Sequence, residues 1–518
     1  MHNIKLNVIT GLSIVILYGL LINIPYFHLK EFQGEEGRRV LIAQEMLKKG
    51  DYIVPTVEGE IYLNKPPLFN WLLAIIFKVA NDASEASARS VSVFSAILCA
   101  ILLSLLWKLL DSKGLWILPG LIFLSLPDVL DKAIRAEIDI TFTLTVTASL
   151  ISWFYIYELK RNSFAGWVVS LMLLAIAFLT KGIISVFFFY LTTGLYLLFK
   201  KRLKDFFTLD HLAGIVAGSA VFSFWFIPLI YRIDYKNVLS AWINEIIVRK
   251  EPLRGSFWNH LLEFPYQFIL GYMPWIGLLL FFRKQRIQKD QKLKDIITFS
   301  LPPLVIAFLL FWFIPGARVR YLLPLSGLFA ISIAVIIETL YDKETNAISY
   351  TKVIAILVFL SGLFIPFLYR RFDFAGIVPW IGGLLLIISG VYLFFLKELG
   401  KRLIALFCII FIAKTAWASI YFPYHEKNMS YYREAARRIN NNVPVSARLY
   451  DYNLGNPHVI FYLKRHIVKI DHLSDLEKGD YLLVRKGEIS IPCSFREIDS
   501  FMARKMIIGI YRKEEKCL

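Results

Sequence analysis

Glu35 and Glu36 stand side by side between Gly34 and Gly37, and Arg38 and Arg39 follow at once. Neighbouring carboxylates in a glycine-flanked turn can take up a proton, bind a cation or hydrogen-bond a hydroxylated ligand. They equally suit the start of a helix, because RRVLIAQEML reads as one and acids favour that end. Lys65 is followed by Pro66 and Pro67, which stiffen the backbone where an apolar stretch begins. A fixed ammonium there suits a phosphate whose ester tail lies in lipid. A lysine snorkelling to the interface would occupy the same place.

Further along, Glu137 and Asp139 flank Ile138 immediately ahead of an apolar run. Two acids at such a boundary are either wet or mark a polar cavity. Lys181 interrupts the apolar stretch from Gly166 to Phe199, where an ammonium needs an anionic partner or a water-filled pocket. Arg318 and Arg320, ahead of YLLP, carry the fork geometry that clamps a phosphate. Glu245 and Arg249 are spaced for an ordinary ion pair on a helix. None of the eight histidines forms a base–nucleophile or metal set, so the sequence requires no cofactor and leaves a divalent metal open. Cys99 and Cys408 fall in apolar runs, whereas Cys493 and Cys517 sit in a polar tail and can pair if that tail is outside the cell.

Helices in a membrane must position these groups. The mean hydropathy is +0.57, and 57% of residues are hydrophobic against 19% charged. That balance predicts an all-α polytopic membrane protein. Apolar segments recur at roughly 7–27, 89–108, 115–131, 140–158, 165–180, 183–199, 211–231, 267–282, 295–315, 321–340, 353–370, 375–396 and 403–421, about thirteen spans. The N-terminal segment lacks a small-residue cleavage site and is expected to stay as the first helix. Pro67 to Ala80 is too short to cross and is expected to lie at the membrane surface or re-enter.

The basic stretches KKRLK (200–204), 283–294 and KELGKR (397–402) then share one face with the N-terminus, which the positive-inside rule makes cytoplasmic. The first loop, residues 28–88 with its juxtamembrane helices, falls on the opposite face with Glu137, Asp139, Lys181, Arg318 and Arg320. The same charge distribution explains the net +18 without nucleic acid, which we exclude as a partner because no basic stripe interleaved with aromatics appears. From about residue 424 the chain turns polar. YYREAARRI reads as a helix, and ARLYDY, HIVKID and DYLLV read as strands, which predicts a small extracytoplasmic α/β domain over 424–518 after a transmembrane domain over 1–423.

Glu35-Glu36-Gly37-Arg38, EMLKKGDYIVP, Asn64-Lys65-Pro66-Pro67, Thr180-Lys181-Gly182, the Glu245…Arg249 pair, Pro274-Trp275 and Arg320-Tyr321…Pro324 follow one another in order. This pattern resembles the GT-C type integral-membrane glycosyltransferases, in particular the lipid A aminoarabinose transferases and protein O-mannosyltransferases. The resemblance implies transfer of a sugar from a polyprenyl-phosphate donor to a lipid or protein acceptor on the outer face of the cytoplasmic membrane, among membrane lipids, with inversion at the anomeric carbon. It implies a catalytic set of Glu35, Glu36, Glu137 and Asp139. Donor-phosphate ligands would be Lys65, Lys181, Arg249, Arg318 and Arg320, and Arg38, Tyr62, Glu245 and Tyr321 would position substrate. A transporter or flippase of a lipid-linked saccharide is the competing class. It explains many spans and buried charges but not the long acidic outer loop with a soluble tail.

Overall fold

The computed structural model describes residues 6–110, 115–247, 257–282, 287, 290–340, 345–371, 377–487 and 491–514. They divide into two compact units, one of Met1–Phe27, Leu63–Phe69 and Arg89–Ile420, the other of His28–Tyr62, Asn70–Ala88 and Tyr421–Leu518.

The first unit is helical. Among the described residues eight helices are long and apolar enough to cross a membrane, or nine if Phe257–Tyr272 and Trp275–Phe281, bent 99° at their break, count as one span. Expected segments 7–27, 183–199 and 375–396 appear as the shorter apolar helices Val8–Asn23, Ile184–Phe199 and Pro379–Phe395. Segment 115–131 does not form one span. It divides into Leu118–Leu124 and Pro127–Ala133, because Pro127 has no N–H to continue the first helix and suits the opening of the second.

Lipid is as apolar as leucine, so close packing and internal polar bonds hold such helices together rather than hydrophobic burial. Gly214 and Gly218 show the packing. A Cβ on either would lie 2.8 Å from the Trp167 carbonyl oxygen or 2.7 Å from that of Leu171, so helix Leu209–Arg232 lies backbone-close on helix Ser163–Lys181. The basic stretch at 200–204 is partly pinned. Arg202 binds Glu158 at 2.9 Å and Asp205 at 3.0 Å, and Lys200 pairs with Asp295.

The second unit holds most of the first loop together with the tail. Helix Glu36–Lys49 is followed by a hairpin of β1 (Thr56–Val57) and β2 (Glu60–Ile61). Ile42, Met46 and Tyr62 form a small core between helix and hairpin. The tail builds a five-stranded sheet of β3 (Leu449–Tyr452), β4 (Val468–Lys469), β5 (Tyr481–Arg485), β6 (Phe495–Ala503) and β7 (Met506–Lys513), in the order β4-β3-β5-β7-β6. β3 runs parallel to β4 and β5, and the other pairings are antiparallel. Helix Tyr431–Asn442 buries Tyr432, Ala435, Ala436 and Ile439, at i, i+3, i+4 and i+7, against Leu483, Ile508 and Ile510 of the sheet. The helix and three strands expected in the tail are present, and the β6–β7 hairpin adds the remaining edge.

Candidate functional site

In the first unit the span-end charges come together. Glu137 stands at the N-cap of helix Ile138–Trp153 and Asp139 in its first turn. Lys132 lies in the last turn of helix Pro127–Ala133, and its Nζ donates to Glu137 Oε2 at 2.7 Å. Lys181 Nζ donates to Asp139 Oδ1 at 2.5 Å. Arg320 Nη1 lies 3.9 Å from Glu137 Oε2 and 4.0 Å from Asp139 Oδ2. Both carboxylates and both lysines are almost dry, with side-chain exposures between 6% and 12%, whereas Arg320 is 31% exposed. Three cations therefore face two anions, and the surplus charge sits on the most open and least tightly held member. Arg320 Nε is buried without a hydrogen-bond partner among the described residues, so the guanidinium still has donor capacity for an incoming anion.

Local structure explains each placement. Lys181 ends its helix, where unpaired carbonyls favour a cation. Gly182 then adopts φ 75° and ψ −148°, a conformation natural only to glycine, and its N–H closes the helix on the Phe178 carbonyl at 2.7 Å. The ammonium also lies 5.3 Å from the centre of the Phe142 ring. Ser92 donates to the Arg135 carbonyl at 2.6 Å, which fixes the turn between Lys132 and Glu137. Lys132 was not among the expected site residues. Its spacing of five from Glu137 was the available signal, hidden because the preceding segment reads as one span.

The other expected residues of this unit stand on neighbouring elements or fall outside the described residues. Lys65 is half-buried in a bend before helix Leu68–Ala80. Arg318 is exposed at the start of the turn Val319–Leu325 that carries Arg320. Tyr321 is half-buried with its ring against Phe311 at 5.8 Å. The side chain of Glu245, and Arg249 and Cys517 altogether, lie outside the described residues.

In the second unit the neighbouring acids separate into two roles. Glu36 is 1% exposed. Its Oε2 accepts from the Gln33 N–H at 2.9 Å, and its own N–H returns to the Gln33 carbonyl at 3.2 Å, which closes the turn. Gly34 makes this possible with φ 65°. Glu35 is 47% exposed. It accepts from Arg38 at 3.0 and 3.2 Å, and Arg39 Nη2 lies 3.5 Å away while donating to the Tyr62 hydroxyl at 3.0 Å. Both guanidinium groups face the Tyr62 ring, at 5.8 Å for Arg38 and 5.3 Å for Arg39. Glu35 is thus the open acid and Glu36 the buried one that closes the turn. Gly37 is required by close approach, since a Cβ there would sit 2.9 Å from His458 Cδ2. His458 stacks on Tyr432 with centroids 4.8 Å apart, and burial lowers its pKa to about 4. Sequence reasoning gave no role to this histidine, which pairs with nothing local.

Residues 64–232, which include Lys65, Glu137, Asp139 and Lys181, match the family dolichyl-phosphate-mannose-protein mannosyltransferase. An uncharacterized protein of Aquifex aeolicus (strain VF5) is 27% identical over 451 residues, 86% of this chain and 84% of that one. The undecaprenyl phosphate-alpha-4-amino-4-deoxy-L-arabinose arabinosyl transferases of Aeromonas salmonicida (strain A449) and Yersinia pestis (strain Pestoides F) are 26% and 28% identical over 58% and 57% of this chain. The chain spans about half the length of these two relatives, 55% and 53%. Among solved structures, ArnT from Cupriavidus metallidurans in the apo state superimposes with a TM-score of 0.72 at 14% identity, covering 97% of both chains. The same protein bound to undecaprenyl phosphate gives a TM-score of 0.71 at 14% identity and 97% coverage. The chain is a multi-pass membrane protein with the fold of the GT-C glycosyltransferases, and it resembles their aminoarabinose and protein mannosyl transferases.

Proposed function

We propose that the protein transfers a sugar from a polyprenyl-phosphate donor to an acceptor, a lipid A-like lipid or a protein, at the outer face of the cytoplasmic membrane. The observation that carries this reading is the span-end cluster of Lys132, Lys181 and Arg320 around Glu137 and Asp139, with its surplus positive charge. The named arabinosyl transferases and the likeness to an ArnT bound to undecaprenyl phosphate support the same class of donor.

In this reading the bond between the anomeric carbon and the carrier phosphate breaks, and its electron pair stays on the phosphate oxygen. Charge grows there in the transition state, so Lys65, Lys181 and Arg320 lower the barrier by meeting it with positive charge. Arg249 and Arg318 are further ligands for the same phosphate. Glu137 and Asp139 hold their lysines rather than accept a proton, because each already has a salt-bridge partner. The acceptor oxygen attacks the opposite side of the anomeric carbon, and Glu35 takes its proton if it is a hydroxyl. A phosphate acceptor has no proton to lose, and Glu35 then only orients it. Arg38, Tyr62, Glu245 and Tyr321 position the substrates. The N-terminus is cytoplasmic and the tail domain extracytoplasmic, so the carrier is used after it has been turned outward.

Mass spectrometry of lipids and envelope glycans from cells with and without the gene tests the proposal. A sugar that disappears from a lipid or protein, with its polyprenyl-phosphate donor accumulating, is the expected result. Unchanged glycans and carriers would sink it.

A further inference from the structure

Two residues before Lys65, the carbonyl of Leu63 accepts a hydrogen bond from Trp242 Nε1 at 3.0 Å. Trp242 belongs to helix Tyr235–Ile247. Its indole packs against Phe178, Phe226 and Phe222, with centroids 5.9, 6.1 and 6.5 Å away. Phe178 lies on the helix that ends at Lys181, and its carbonyl accepts the Gly182 N–H that closes that helix. One indole therefore spans from the Lys65 bend to the helix end that presents Lys181. Pro66 and Pro67 have no N–H, so neither can donate a backbone hydrogen bond to hold the bend. Filling the space among Phe178, Phe222 and Phe226 needs only an aromatic ring, whereas reaching the Leu63 carbonyl needs the indole N–H.

We propose that Trp242 is a positioning residue that holds the Lys65 bend in register with Lys181, so that both ammonium groups meet one carrier phosphate. The inference rests on the reading of Lys65 and Lys181 as donor-phosphate ligands. Trp242 touches no substrate in this scheme and acts through Lys65. A loop that wanders by an ångström loses much of a charged contact, so the effect belongs to carrier affinity more than to stability.

The test is binding of undecaprenyl phosphate to the full chain in nanodiscs, for wild type, Trp242→Phe, Lys65→Ala and the double variant, with melting temperatures recorded alongside. Trp242→Phe keeps the aromatic packing and removes one hydrogen bond, so affinity should fall about two- to tenfold with melting nearly unchanged. In the Lys65→Ala background the same change should alter affinity less than about twofold, because the two effects run through one group. If Trp242→Phe folds poorly, 3-benzothienylalanine at position 242, which replaces the N–H by sulfur at nearly constant shape, takes its place. Wild-type affinity in the variant lacking the N–H, or equal losses in both backgrounds, overturns the positioning role and leaves the phosphate reading standing. A Lys65→Ala protein that binds the carrier as tightly as wild type overturns the phosphate reading and the positioning role with it.

Discussion

Replacing Lys181 by Met leaves the Asp139 carboxylate, 8% exposed, without the ammonium that now donates to it at 2.5 Å. Breaking a buried pair from one side costs about 3–5 kcal/mol, because the remaining charge stays desolvated. Arg320 already lies 4.0 Å from the other oxygen and can move in, so we expect the lower end, about 3 kcal/mol and several degrees of melting temperature. Removing both charges together, Lys181→Met with Asp139→Asn, should restore most of that stability, since exchanging a whole buried pair is often close to neutral. Carrier binding should not recover. A charged hydrogen bond to phosphate is worth about 1.5–3 kcal/mol, so both variants should bind undecaprenyl phosphate roughly ten- to a hundredfold more weakly. Thermal unfolding in detergent and carrier binding in nanodiscs separate the two effects. A double variant that melts and binds like wild type would refute the assignment of Lys181 to the phosphate, and a single variant with unchanged melting would refute the buried pair.

Glu35→Gln should lower turnover by about two to four orders of magnitude with a hydroxyl acceptor and change melting little, because its pair with Arg38 is exposed and the buried Arg39, 3.5 Å away, keeps its bond to the Tyr62 hydroxyl. Near-normal turnover in purified enzyme would reduce Glu35 to a helix-end acid. Gly37→Ala forces a Cβ to 2.9 Å from His458 Cδ2 and 3.2 Å from its Cα, and should destabilise the protein by about 1–3 kcal/mol in a melting assay. His458 titrates at about 4 when folded against 6.5 when free, so the unfolded chain binds its proton first. Its contribution, about 3 kcal/mol, is complete above pH 6.5 and is lost as pH falls from there through 4. The difference in stability between wild type and His458→Gln should shrink over that window, and a pH-independent difference would contradict the buried neutral ring. A cysteine-accessibility tag after Leu518 should label from outside the cell, and labelling only from the cytoplasm would contradict the orientation.

Parts of the candidate site are legible in the sequence where their chemistry is local. The Glu35-Glu36 turn, the acids flanking Ile138 and the lysine before Gly182 each announce themselves within a few residues, and the span-end members meet as their charges require. The different roles of Glu35 and Glu36 could not be read, because they depend on a returned Gln33 N–H and on the left-handed Gly34. Lys132 was hidden by the helix break at Pro127, which turns an apparent span into a helix end beside Glu137. Trp242 reaches a carbonyl distant in sequence, and no local pattern encodes that contact. In the tail, alternation revealed β3, β4 and β5. β6 carries a register shift between Glu497 and Asp499 that breaks the period of two.

The most direct measurement uses purified protein in vesicles loaded with polyprenyl-phosphate-linked sugars and a lipid acceptor, with free polyprenyl phosphate and glycosylated acceptor followed together. Inverting transfer yields both products in equal amounts, with inverted anomeric configuration in the glycosylated acceptor, and both should be lost in Lys181→Met with Asp139→Asn. Intact lipid-linked sugar crossing the bilayer, with no free carrier released, would make the protein a transporter and contradict the transferase reading.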